Sequence, residues 1–125
     1  MSLSNIEEIA TFIVADGKGI LAADESNPTC GKRFDSIGVD STEENRRDYR
    51  ELLFRSKGMK GNIGGVILFD ETIRQEAKDG TLLRDIISDQ GALPGIKVDK
   101  GLQPIEDCPN ETVTVGLDGL DERLK

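Results

Sequence analysis

The sequence predicts an α/β fold built on a parallel sheet, and three observations carry that expectation. Three short apolar runs each pass abruptly into charged residues, helical periodicities separate them, and the gaps between them suit crossover helices rather than hairpins. Aromatic residues make up only 4% of the chain, so the interior must be built mainly from Ile, Leu, Val and Ala, as in that class. At 125 residues a single core is the default.

The opening segment has Ser4 followed by Glu7 in a capping-box pattern, then Ile6, Ile9, Phe12 and Ile13 at helical spacing until Gly17. This predicts an amphipathic helix. Strand one follows over 20–23, an uninterrupted apolar run that opens into Asp24, Glu25 and Ser26, as a strand buried on both faces would if its end met a pocket. A loop over 27–31 leads into a helical piece with Lys32, Arg33, Phe34 and Ile37, closed by Gly38. Ser41 and Glu44 repeat the capping box, and Tyr49, Leu52 and Leu53 are the expected buried stripe of a helix that Gly58 ends. The mixed charges between Glu43 and Arg55 predict that its remaining surface is solvated.

Strand two, over 64–69, ends in Asp70 and Glu71, and Ile73, Ala77, Leu82, Leu83, Ile86 and Ile87 mark the helical turns after it. Strand three, over 94–101, places Ile96 and Val98 on one face and Lys97 and Asp99 on the other. Beyond Gln103 the rhythm breaks at Pro104 and Pro109, with 112–115 as a short excursion strand. Asp118 then caps a helix that begins near Leu120.

Composition removes several classes of function. A net charge of −8, from 24 acidic against 16 basic residues, would repel a nucleic-acid backbone. There is no histidine, and Cys30 and Cys108 are too far apart for a C-x-x-C motif, so zinc and dithiol chemistry lack their usual ligands. Both cysteines are expected to be reduced thiols in a soluble, cytoplasmic protein with no cofactor. No apolar run approaches the ~20 residues needed to span a bilayer.

What remains is the chemistry at the strand ends, where ligands sit in parallel α/β proteins. Asp24 shares a strand face with Ile20 and Ala22, so it either projects inward to move protons or caps the next helix. Ser26, Thr29, Lys32 and Arg33 gather hydroxyls and cations near a helix amino terminus, either as a phosphate cradle or as a solvated turn. Lys97 on a strand needs an anionic partner, Asp99 or Asp24, unless it is itself an imine-forming nucleophile.

Taken together, the segments 19–26, 31–33, 66–72, 95–101 and 116–120 resemble, in order, successive motifs of class I fructose-bisphosphate aldolases. The variant around Asn27, Thr29, Cys30 and Gly31 is most similar to plastid-type and bacterial members. The resemblance implies a (β/α)₈ barrel, of which 1–125 would supply the N-terminal helix and about the first three β/α units. It also implies reversible cleavage of fructose 1,6-bisphosphate through a lysine imine, and a homotetramer. By position it makes Asp24 a catalytic carboxylate and Lys97 a cationic pocket residue. Ser26, Thr29, Arg33 and, last in order, Arg46 become contacts to the phosphorylated sugar; for Arg46 the alternative is an ordinary surface arginine of its helix.

A complete barrel needs ~250 residues, so the family's imine-forming lysine and acid/base glutamates are expected outside this sequence. The chain alone is accordingly expected to be silent and poorly folded, with Glu25, Lys97 and Asp99 short of partners. Two other readings stand beside this one: a noncatalytic aldolase-derived fragment or interaction protein, and a different Schiff-base sugar-phosphate barrel.

Overall fold

A computed structural model describes residues 3–125. Its elements run α1 (Ile6–Ile13), β1 (Gly19–Ala23), α2 (Asn27–Asp35), α3 (Glu43–Phe54), β2 (Ile63–Leu68), a 3₁₀ turn (Thr72–Arg74), α4 (Leu83–Asp89), β3 (Leu93–Ile96), β4 (Leu102–Ile105), β5 (Cys108–Thr114) and α5 (Leu120–Arg123). β1, β2 and β3 form a parallel sheet in that spatial order, so the expected α/β class and parallel pairing are what the chain adopts.

Both helix starts lie one residue beyond the expected ones. Asn5, not Ser4, caps α1 by accepting the Glu8 amide at 2.9 Å, and the Glu8 carboxylate reaches back to the Ser4 amide at 2.7 Å. Thr42, not Ser41, caps α3 by accepting the Asn45 amide at 3.1 Å. In each case a neighbouring polar residue competes for the same helix amide. The segment expected as a loop over 27–31 is the first part of α2, with Ser26 as N-cap and Pro28 in the first turn, where its missing amide donor costs nothing.

The core lies on the helix side of the sheet, where Ala23, Val66 and Leu68 meet Phe54 and Met59 and the α4 residues Leu83, Ile86 and Ile87. Of the strands only β2 is largely buried, which suits its central position. The expectation that strand one is buried on both faces fails: β1 is an edge strand, and Ile20 and Ala22 are exposed on the face that alternates with Leu21 and Ala23. α1 likewise buries none of its residues fully.

The expected stripe of α3 is also corrected. Leu52 is 73% exposed, whereas Arg46, Arg50 and Phe54 are buried at i, i+4 and i+8. Of the expected stripe, Leu53 packs against the core and Tyr49 is half-buried against Phe34, but apolarity misses the arginines, which strand-end carbonyls and carboxylates draw inward. Beyond β3, β4 and β5 form an antiparallel hairpin turning at Asp107, whose φ of 63° is in the left-handed region. The hairpin begins at Leu102 and ends at Thr114, so the expected excursion strand is half of a pair. Gly119, also left-handed, and not Asp118, occupies the N-cap of α5.

Gly64 marks a close approach between α1 and β2. A Cβ there would lie 2.7 Å from the Ile13 carbonyl oxygen and 2.9 Å from its Cα, so the end of α1 rests directly on the β2 backbone. Gly64→Ala is therefore expected to destabilise the protein by about 1–3 kcal/mol through overpacking, read as a lower denaturation midpoint. Unchanged stability would mean that α1 does not rest on β2 in solution.

Candidate functional site

Register brings the three strand ends to one edge. Ala23 is level with Leu68, and Leu68 with Ile96, so Asp24, Phe69 and Lys97 form the next row. With strands ~4.8 Å apart, Asp24 and Lys97 start roughly 10 Å from each other across this rim. The Lys97 amide still donates to the Leu68 carbonyl at 2.9 Å, so its backbone is held to the sheet although β3 ends at Ile96.

Asp24 is half-buried directly after β1. It does not cap α2, because Ser26 holds the N-cap position, and the Asp24 side chain takes no hydrogen bond among the described residues. Two residues on, the Ser26 and Thr29 hydroxyls sit 3.1 Å apart over the first turn of α2, whose free amides favour an anion. Arg33, one turn further along α2, is half-exposed. Its Nη1 donates to the Glu25 carboxylate and, at 3.1 Å, to the Tyr49 hydroxyl. Those contacts, the Tyr49 bond foremost, hold its guanidinium proton more firmly than usual.

Lys97 pairs with Asp99 rather than with Asp24. Glu25 pairs with both Arg33 and Arg50. The expectation that Glu25, Lys97 and Asp99 lack partners within this chain is thus corrected: each finds a counter-charge here.

Arg46 is not an ordinary surface arginine. It is buried, with Nε 2.9 Å and Nη2 2.6 Å from the two Glu71 oxygens, and Nη1 donating to the Ser41 carbonyl. The fork-to-fork pair with Glu71 raises its already high pKa. This arginine fastens α3 to the segment leaving β2, and Glu71 occupies the donors a phosphate would need.

Arg50 is the residue that sequence reasoning missed. It is 1% exposed, and its Nε donates to the Ala23 carbonyl at 3.1 Å, Nη1 to the Cys30 sulfur at 3.2 Å and Nη2 to the Glu25 carbonyl at 2.8 Å. The one available signal was its spacing, four residues after Arg46 and four before Phe54. Among the described residues no group of three or more His, Cys, Asp or Glu side chains is arranged to hold a metal, and no helix is long and apolar enough to cross a membrane. Cys30 and Cys108 are both free thiols.

Asp99 supplies a measurable signature of this rim. The Lys97 ammonium, followed by the Gly101 amide, holds its carboxyl below the usual carboxylate value. A depressed folded pKa stabilises the fold above the ordinary carboxylate pKa, and that contribution fades as pH falls through the depressed value. In an NMR carboxyl titration Asp99 is expected to titrate low, and Lys97→Ala to move it upward only in part because the Gly101 amide remains. No movement in Lys97→Ala would mean the pair does not form in solution.

Comparison with known proteins gives this rim its context. A family model described as fructose-bisphosphate aldolase class-I matches residues 5–125. The chain is 54% identical over its full length to a protein of Xanthomonas campestris pv. campestris named as a probable fructose-bisphosphate aldolase class 1, and spans 37% of that relative. It is also 54% identical over 114 residues to the chloroplastic fructose-bisphosphate aldolase 1 of Chlamydomonas reinhardtii, covering 91% of this chain and 30% of that one. Among solved structures it resembles the Plasmodium falciparum fructose-bisphosphate aldolase crystallised with TRAP and a small-molecule inhibitor. That match has a TM-score of 0.88 and 50% identity, over 94% of this chain and 34% of the other. With its parallel sheet, its charged strand ends and a family match running from residue 5 to residue 125, the chain belongs to the class I fructose-bisphosphate aldolase family.

Proposed function

We propose that residues 1–125 form the amino-terminal portion of a single (β/α)₈ barrel domain, contributing the N-terminal helix and about the first three β/α units. The whole protein in this reading is a class I fructose-bisphosphate aldolase. It cleaves fructose 1,6-bisphosphate reversibly into glycerone phosphate and glyceraldehyde 3-phosphate, the carbon–carbon step of glycolysis and gluconeogenesis. The observation that carries the proposal is the family match over 5–125 on a sheet whose charged strand ends share one rim.

The chemistry follows from the rim. A lysine imine draws electrons from the bond to be broken, so no metal is needed as electron sink. In the family reading that lysine lies on a later strand, outside 1–125, while Lys97 is ion-paired with Asp99. Asp24 is the carboxylate that moves a proton, because it stands at the rim with no side-chain partner among the described residues to hold it. Ser26 and Thr29 supply hydroxyls and the start of α2 supplies amides to a substrate phosphate. Arg33, whose side chain is half-exposed, adds its guanidinium, and Lys97 adds positive charge across the rim. Arg46 is last among the substrate contacts, since reaching a phosphate requires it to release Glu71. The composition and the free thiols support a cytoplasmic protein, and the family supports a homotetramer.

Two variants of the full-length enzyme test this division of labour. Asp24→Asn is expected to lower kcat strongly, by about 10²-fold or more, with KM little changed, as for a group acting in the transition state. Turnover that survives would remove Asp24 from the chemistry. Arg33→Ala is expected to raise KM for the bisphosphate at least several-fold while sparing an unphosphorylated analogue, because charge-assisted bonds to phosphate are what it supplies. An equal loss for both substrates would count against the cradle. Borohydride trapping with substrate, read by mass, shows whether the imine forms and on which lysine; an adduct on Lys97 would return the nucleophile to this segment.

A further inference from the structure

Asp24 lies between two backbone carbonyls that a single buried side chain holds. Arg50 Nε donates to the carbonyl of Ala23, the residue before it, and Arg50 Nη2 to the carbonyl of Glu25, the residue after it. The backbone of α2 does not provide the latter bond, because the first helical bond of α2 runs from the Cys30 amide to the Ser26 carbonyl; α2 adds only the long Cys30 thiol contact to the Glu25 carbonyl, at 3.9 Å. The same guanidinium is 3.2 Å from Glu25 Oε2, and the other oxygen of that carboxylate takes Arg33. Its remaining nitrogen, Nη1, donates to the Cys30 sulfur on α2.

We propose that Arg50 is a positioning residue of this site, fixing the Asp24 backbone from both sides and, through Glu25, the resting place of Arg33. The proposal rests on the catalytic reading of Asp24. A planar fork from α3 does what no backbone feature of the strand-to-helix link does: it bonds two carbonyls and a thiol at once while its charge faces the Glu25 carboxylate. A lysine at this position keeps the charge beside Glu25 but cannot bond both carbonyls. Since the side chain is 1% exposed, it touches no substrate and acts only through what it holds.

The test is a double-mutant cycle in the full-length enzyme, with turnover of fructose 1,6-bisphosphate expressed per imine-forming site counted by borohydride trapping. Arg50→Lys is expected to lower kcat per site on the order of 10²-fold, as a small misplacement of a catalytic group does, with KM changed far less. On an Asp24→Asn background the same substitution is expected to cost almost nothing further, because the group it positions is gone. If Arg50→Lys keeps kcat per site near the parent value, even with a lowered melting point, Arg50 is only a core contact and the inference fails. Fully additive losses also overturn it. Retained turnover in Asp24→Asn alone overturns the catalytic reading of Asp24 and this inference with it. Should the lysine variant prove insoluble, Arg50→Gln, whose single amide nitrogen bonds one carbonyl, takes its place in the cycle with the same outcomes.

Discussion

Two guanidinium groups leave water one helical turn apart on α3, and the surrounding structure is arranged around that constraint. A buried cation is tolerable only if its donors meet acceptors and its charge meets an anion, since an unpaired buried charge costs several kcal/mol. Arg46 satisfies this with Glu71, beyond the end of β2, and with the Ser41 carbonyl just before α3. Arg50 satisfies it with the end of β1, with Glu25 and with Cys30. The two pairings lock one helix against the exits of two neighbouring strands. The rim is therefore defined as much by desolvated polar groups as by the apolar core beneath it.

In the function proposed above, the same arrangement lets an acidic chain present a site for a phosphorylated sugar. Net charge governs long-range repulsion and is screened within ~10 Å at moderate salt, whereas a bound phosphate responds to donors at contact distance. At the rim the carboxylates of Glu25, Glu71 and Asp99 are already matched to cations. The start of α2 then contributes amides and hydroxyls that carry no competing anion. Specific anion binding and an overall charge of −8 are compatible because they act over different distances.

Much of this was legible in the sequence. The parallel sheet and the ends of its first two strands followed from the passage of apolar runs into Asp24 and Asp70, a local pattern; strand three ends at Ile96, short of the expected 101, so Lys97 and Asp99 lie past the strand and not on one of its faces. Helix starts were displaced by one residue because Ser4 and Asn5, or Ser41 and Thr42, are chemically near-equivalent caps, and the choice depends on backbone geometry. The inward face of α3 was legible only at Leu53, because a hydrophobic pattern ranks Leu52 above Arg50, and only the tertiary partners reverse that order. The substitution of a helix turn for the loop at 27–31 has a similar origin: Pro28 is a breaker within a helix and a starter at its first turn, and sequence alone left its position in the turn undecided. The pairing of β4 with β5 was likewise hidden, since Pro104 and Pro109 argue against regular strands but are tolerated in a two-stranded ribbon with free edges.

The register of the sheet also sets an order of assembly. β4 and β5 are joined by a short turn at Asp107, and such hairpins form within about 1–10 μs. β1 meets β2 only after α2 and α3 have been traversed, so pairing Gly19 with Ile63 closes a long loop before any contact repays the lost chain entropy. Arg50 bridges part of the same span, since its bonds to Ala23 and Glu25 need β1, α2 and α3 in their final places. Taking its charge out of water before those acceptors are all present is costly, which makes burial of the arginine a late and selective step: a chain that pairs its strands in the wrong register leaves that cation unmatched. The buried fork thereby acts as a checkpoint on the topology, separating the native register from compact alternatives that apolar burial alone would accept.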